Sequence, residues 1–414
     1  MRIVLLTQYF PPEVGAPQNR LSAIAHAFRA KGAEVTVLTA MPNYPEMRVH
    51  EAYRGKWKVK ERVDGLDVIR AWLFVSTKRA ILPRLLNYFS FVFSSLVVGL
   101  FNLRKSDVLF VESPPLFLGI AALLLARAKG AKLVFNVSDL WPESAVQLGL
   151  VRNRTLIALS TRLEMRCYRK SALVTGQTQG IVADIQRRCP DKRVVWVPNG
   201  VDFAAMDTFS QGAVDRSRLT AMGIKPADVV FAYAGIIGHA QGLDVVLRAA
   251  AALADRPLIH FLLIGAGPDL ARLKTIAAEL RTSHVHFIDK MPRAELIALL
   301  RYADAVVVPL KKNDLFKGAI PSKIFEALAL SKPLLLGVEG EAERLFIAHG
   351  KAGLAFVPED ATDLARQVQR YADDRALMEE HGANGLRYAQ ANFDREVISA
   401  RLWNELMSLQ QGPR

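Results

Sequence analysis

Lys323 and Glu326 stand three residues apart in "IPSKIFEALALSKPLLL", at the start of an otherwise apolar helical pattern. Three residues is one helical turn, so the ammonium and the carboxylate share a face. That pairing suits a ligand carrying both phosphates and hydroxyls. Other polar groups stand where apolar runs break into loops. In "YFPPEVGAPQNR", Gly15 permits close backbone approach and Arg20 enters a helix whose N-terminus would favour phosphate. In "SDLWPES", Asp139 and Glu143 flank Trp141, a grouping fit for sugar contact or general acid–base work; a helix cap by Asp139 over a buried Trp explains it equally well. "AGIIGHAQGLD" and "LIGAGPDL" are Gly-rich turns that place Gly235 and His239 near a strand end. Such turns cradle phosphate or merely allow tight packing, and His239 reads equally as a loop histidine without a ligand.

The elements that must position these residues are legible as alternation. "RIVLLTQ", "AEVTVLTA", "LDVIRAW", "SDVLFVES", "KLVFNVSD", "ALVTGQT" and "RVVWVPNG" form a first series of strand patterns. "VVFAYAGIIG", "LIHFLLIGAG", "VHFIDKM", "DAVVVPL", "PLLLGV" and "GLAFVP" form a second, with amphipathic stretches such as 19–31, 243–253, 270–280 and 294–302 between them. Repeated βαβ alternation predicts an α/β chain of two doubly wound, Rossmann-like parallel-sheet domains. The boundary is expected in the polar stretch 202–228, giving domains over 1–205 and 206–390, with a helix in 391–414 packing back on the first. Ligands bind beyond the carboxyl ends of such strands, so the two domains are expected to face each other across a central cleft.

Composition narrows the classes. The 414 residues carry a formal net charge of +14, which implies an anionic partner: nucleic acid, a membrane surface or a phosphorylated substrate. No RNA-binding motif with interleaved aromatics is present, so nucleic acid is not expected. The eight histidines show no metal-ligand spacing, and two cysteines give no disulfide framework; no metal is expected, and a reducing compartment fits best. Neither G-x-x-x-x-G-K-[ST] nor G-x-S-x-G occurs. "MRIVLLTQYF" reads as a first buried strand rather than a signal peptide. "YRGKWKVKER" spaces its cations two apart, on one face of an extended segment or along a solvated edge. Between Arg84 and Arg104 lie 19 residues without charge. The run is long enough to span a bilayer, yet strand patterns lie on both sides of it. An interfacial helix in 80–104 is the expectation, with Lys78, Arg79, Arg84 and Arg104 at anionic headgroups and Phe89, Phe91 and Phe93 toward lipid; a buried helix and a span are the alternatives.

Taken in order, "QYFPPEVGAPQNR", "TAMPNYP", "DLWPES", "PNGVD", "YAGIIGHAQGLD", "LIGAGP", "DAVVVPL" and "IPSKIFEALALSKPLLL" resemble the retaining GT-B glycosyltransferases of the family 4 type. More narrowly, they resemble the branch that builds bacterial surface polysaccharide such as O-antigen or capsule, often labelled fucosamine transferases. The resemblance implies a nucleotide-sugar donor, UDP-linked, with an N-acetylated deoxyhexosamine such as N-acetylfucosamine among the sugars considered. It implies a saccharide on polyprenyl diphosphate as acceptor, peripheral attachment to the cytoplasmic face of the inner membrane, and no cofactor or metal. Glu326 matches the second carboxylate of the family's Glu-x7-Glu pattern, the ribose ligand, while Gly318 stands where the first would be. Gly235 and Gly242 match the phosphate loop, but Ile236 and Gln241 replace its cations, leaving Lys323 to meet the diphosphate with Lys317 in reserve. The base would lie on the backbone at Pro309–Leu310, and the diphosphate between helix N-termini near Gly15 and Gly235. Ser138 replaces a histidine common in relatives, which turns attention to Asp139. Retention would follow front-face attack without a protein nucleophile. Two further readings are a GT-B enzyme with a soluble acceptor or epimerase outcome, and a non-catalytic protein binding anionic surfaces.

Overall fold

The computed structural model describes residues 1–411 except 14, 45, 79–80, 148–150, 152 and 211–215. The chain forms two compact units: Met1–Asn199 joined by Arg395–Arg414, and Gly200–Asp394.

The first unit is built on eight strands: β1 (Arg2–Leu6), β2 (Glu34–Ala40), β3 (Lys58–Val63), β4 (Leu66–Ala71), β5 (Val108–Ser113), β6 (Lys132–Val137), β7 (Leu173–Gly176) and β8 (Val194–Trp196). They lie in the order β3-β4-β2-β1-β5-β6-β7-β8, parallel except at the β3–β4 hairpin. Asp64 and Gly65 turn that hairpin with φ of 48° and 81°, the left-handed pair that a two-residue hairpin requires. The cationic stretch is thus the sheet edge, with Lys58, Lys60 and Arg62 exposed on alternate positions. Charged exposed edges discourage further strand pairing.

The second unit carries β9 (Val229–Ala234), β10 (Ile259–Ile264), β11 (Val285–Ile288), β12 (Ala305–Pro309), β13 (Leu334–Gly337) and β14 (Gly353–Ala355), all parallel, in the order β11-β10-β9-β12-β13-β14. Renumbered from its first strand this is 3-2-1-4-5-6, the dinucleotide-fold order. The first sheet follows the same rule around β1. In each, strand order reverses beside the first strand, between β1 and β5 and between β9 and β12. Every residue of β5, β9, β10, β12 and β13 is buried, because helices cover both sheet faces; this is why these strands read as mainly apolar runs rather than alternations.

Two helices shape the first unit's surfaces. Arg395–Gln410 buries Ile398, Leu402 and Leu406 in the cluster that holds Leu21, Ile24 and Phe28, with Trp403 5.7 Å from Phe28 between ring centroids. Ile81–Asn102 buries Phe91, Val92 and Val98 against the core with Leu38 and Leu125. Its other side is open: Leu82 is 67% exposed, Phe93 59% and Phe101 84%. By length and composition 82–102 can cross a membrane. The expectation that Phe91 faces lipid is wrong. Phe91 is fully buried on the helix's inward stripe, while Phe89 and Phe93 are exposed.

Candidate functional site

In the second unit, helix Lys323–Ala329 turns Ile324, Phe325, Ala327 and Leu328 inward, leaving Lys323 and Glu326 together on its partly buried side. The Lys323 Nζ lies 3.7 Å from the ring centroid of Tyr233, the penultimate residue of β9. Tyr233 donates its hydroxyl to the Ile236 carbonyl at 2.5 Å, which pins the turn leaving the strand. Gly235 begins that turn with φ of 139°, and a Cβ there would stand 3.4 Å from the lysine Nζ. Burial pushes the Lys323 pKa down to about 7, against a raising pull from Glu326. Among the described residues no carboxylate forms an ion pair with Lys323. Glu326 instead meets Arg293 Nη2 at 3.0 Å through Oε1.

His239 forms a one-turn 3-10 helix between β9 and the helix Asp244–Ala252, so the Gly235 turn does not run straight into a helix. Its Nδ1 lies 2.8 Å from Oδ1 of Asp269, a fully buried carboxylate that also takes both arms of Arg272 at 2.7 Å. The Arg272 guanidinium holds the Asp269 carboxyl below the usual range, with His239 and Lys311 adding to the effect. The glycines of "LIGAGPDL" have a packing reason: a Cβ at Gly265 would fall 1.9 Å from the Gly235 carbonyl oxygen, and one at Gly267 2.1 Å from that of Ile237. Leu310 donates its N–H to Gly337 at 3.0 Å. At Gly318 a Cβ would meet nothing within 4 Å, so the position has room for a side chain.

In the first unit Gly15 precedes helix Ala16–Ala30, which carries a proline in its first turn. Arg20, expected to meet phosphate, has other partners. It is buried, donating to Glu112 Oε1 at 2.6 Å, Ser138 Oγ at 2.6 Å and Asn199 Oδ1 at 2.8 Å. Asn136 donates to the other Glu112 oxygen at 2.5 Å and accepts from Thr175 at 2.6 Å. Ser138, read as a replacement, is one link in this network. Asp139 is exposed, yet neighbouring protein removes enough hydration to raise its pKa, against lowering hydrogen bonds from Ser144 and the Leu140 backbone. Glu143 is exposed in the first turn of helix Glu143–Gln147, and Trp141 packs edge-on to Phe117 with centroids 5.3 Å apart.

The structure therefore brings Gly235, Lys323 and Glu326 together, ties His239 to Asp269, and removes Arg20 from the surface. Sequence reasoning missed Tyr233, Asp269, Arg293 and the Glu112 network; only the carboxylate in "GAGPD", beside a Gly-rich turn, offered a signal. Among the described residues no group of three His, Cys, Asp or Glu side chains could hold a metal ion.

Two family models match, one on each unit: a glycosyl transferase 4-like domain over residues 15–200, and glycosyl transferases group 1 over 220–387. Among relatives, the putative colanic acid biosynthesis glycosyl transferase WcaI of Escherichia coli is 26% identical across 98% of this chain and all of that protein. D-rhamnosyltransferase WbpZ of Pseudomonas aeruginosa is 26% identical over 69% of this chain and 70% of its own. Among solved structures, sucrose-phosphate synthase from Thermosynechococcus elongatus superposes with a TM-score of 0.74 at 18% identity, covering all of both chains. HepE from Anabaena, solved with UDP and glucose, gives 0.68 at 17% over 98% and 99% of the two chains. Both units carry a glycosyltransferase model on a shared two-sheet architecture, and the chain belongs to the GT-B glycosyltransferases of the family 4 type.

Proposed function

We propose that this enzyme moves a sugar from a UDP-sugar to a saccharide carried on polyprenyl diphosphate, with retention of configuration, in bacterial surface polysaccharide synthesis. The observation that carries the reading is Lys323. A desolvated ammonium beside Gly235, at the point where strand order reverses, lies where such folds bind ligands. Glu326, one turn on, offers acceptor oxygens to vicinal hydroxyls. Diphosphate and ribose at that separation describe a nucleoside diphosphate. The colanic acid biosynthesis named for WcaI supports a polysaccharide product, and the UDP in HepE supports the nucleotide.

As the sugar–phosphate bond breaks, negative charge grows on the leaving diphosphate, and the fixed ammonium stabilises it. The acceptor hydroxyl attacks the same face, giving its proton to the departing phosphate oxygen, so no protein nucleophile is needed. Thermal-shift measurements against UDP-, GDP- and dTDP-sugars test the donor. A UDP-sugar should give the largest shift in wild type and lose most of it in Lys323→Ala; equal shifts in both proteins would remove the basis of the assignment.

The exposed side of Ile81–Asn102 supports peripheral docking on the cytoplasmic face of the inner membrane, with exposed Lys78, Arg84 and Arg104 flanking the apolar surface. Arg79 lies outside the described residues. Cosedimentation with anionic liposomes should weaken with salt. Leu82→Ser/Phe93→Ser/Phe101→Ser should release the protein from vesicles and leave UDP binding intact; unchanged cosedimentation of this variant excludes the docking mode.

A further inference from the structure

A hollow of about 580 Å³ opens in the first unit between the loop around Met47–Arg54 and the segment 72–78. Three exposed cations line it, Arg48, Arg54 and Lys78, with Ser76 and Thr77 hydroxyls beside them; Arg54 also meets Glu51 at 3.4 Å, and among the described residues no carboxylate lines the hollow itself. Its apolar walls include Trp72 and Phe74, both exposed. One wall is fixed rather than loose. Asn87 donates to the Phe74 carbonyl at 2.6 Å, Ser90 accepts from the Phe74 N–H at 2.8 Å, and Ser94 donates to the Trp72 carbonyl. Residues 87, 90 and 94 follow one face of Ile81–Asn102, so the segment is laid along that helix. From the hollow an apolar lane leads outward: Trp72 stacks on Trp57 with centroids 5.7 Å apart, and Trp57 meets Phe93 edge-on at 6.4 Å.

With Arg54 paired to Glu51, Arg48 and Lys78 are the cations that meet no carboxylate among the described residues, and like charges at one hollow repel unless an anion joins them. Two guanidiniums and an ammonium, set among hydroxyls, match phosphate oxygens. The aromatic lane matches a hydrocarbon chain leaving that anion. We propose that this hollow is the site for the diphosphate of an isoprenyl-linked acceptor, with the isoprenoid leaving along Trp72, Trp57 and Phe93. The assignment rests on the lipid-linked acceptor reading above and places the acceptor's charged group on named residues of the first unit.

The test uses farnesyl diphosphate as probe on the full chain, titrated calorimetrically in saturating UDP. Wild type should bind it, farnesol and inorganic pyrophosphate should each bind at least tenfold more weakly, and Arg48→Ala/Lys78→Ala should lose at least tenfold in farnesyl diphosphate affinity with unchanged UDP affinity. Both substitutions are at exposed positions, and a melting curve checks folding. Equal farnesyl diphosphate binding by wild type and variant overturns the site. So does a variant that loses only its affinity for phosphatidylglycerol vesicles, which would assign the cations to general headgroup contact. Failure of UDP to bind wild type would strike the UDP-sugar donor reading, separately from the hollow.

Discussion

The two units share a strand order and differ in what they do with charge at the reversal point. In the first, Arg20 beside β1 is buried against Glu112 on β5, and Ser138, Asn136, Thr175 and Asn199 complete the network. In the second, Lys323 sits beside β9 with an aromatic ring beneath it, and the nearest helix carboxylate, Glu326, is held by Arg293. One reversal point is neutralised from within; the other keeps a lysine that, among the described residues, no carboxylate meets. The same topology thus yields a rigid scaffold in one place and an anion site in the other, and the sign of a residue's effect on stability should tell them apart.

The largest effect expected is at the neutralised point. Glu112→Ala leaves the Arg20 guanidinium buried without its carboxylate and should cost about 3–5 kcal/mol of stability, read by urea denaturation of the full chain. A loss below about 1 kcal/mol would mean that water reaches the network and that the contrast between units is false. Next, Lys323→Ala should weaken UDP by roughly 10- to 150-fold, the equivalent of about 1.5–3 kcal/mol for a charged hydrogen bond. Uridine affinity should change far less, and stability should not fall. Equal losses for UDP and uridine would make Lys323 structural.

The pH dependence sharpens the same point. The folded pKa of Lys323, about 7, lies below the ordinary lysine value of about 10.4. Between those values the folded chain binds fewer protons than the unfolded one, so the Lys323 contribution to stability rises with pH across that window and its penalty is complete below pH 7. A diphosphate favours the ammonium, so UDP binding at pH 8 should draw protons from solution. Calorimetry in two buffers of different ionisation enthalpy measures the uptake, and Lys323→Met should abolish it. The smallest effect should come from Arg293→Ala. Freed of its partner, Glu326 still reaches ribose but is less well oriented, so UDP affinity should fall by about threefold, within the modest range of exposed ion pairs. The loss should disappear for 2′,3′-dideoxy-UDP. A loss that persists with the dideoxy nucleotide would show that Arg293 acts elsewhere.

The strands were legible because burial on both faces produces short apolar runs bounded by loops, as in "VVFAYA" and "LIHFLLI". β3 was less so, since an exposed edge strand alternates charged residues with its valines, as in "KVKERV". A fully buried Arg70 inside β4 broke the pattern in the other direction; Glu61 on the neighbouring strand meets its Nε at 2.5 Å. At the site, Lys323 and Glu326 were visible as a local pair. The ring of Tyr233 beneath Lys323 was not, because that contact joins distant stretches through strand order. Arg20 misled for the same reason: nothing local announces that its partner stands on β5. The inward position of Phe91 among exposed Phe89 and Phe93 is a matter of helical phase, which a uniformly apolar run does not encode.

The helix Arg395–Gln410 belongs to the first unit although the whole second unit precedes it in the chain. A ribosome therefore releases Leu21, Ile24 and Phe28 long before their covering partners Ile398, Leu402 and Leu406 exist. The first unit thus keeps an open apolar seam until a segment made after the whole second unit arrives to cover it.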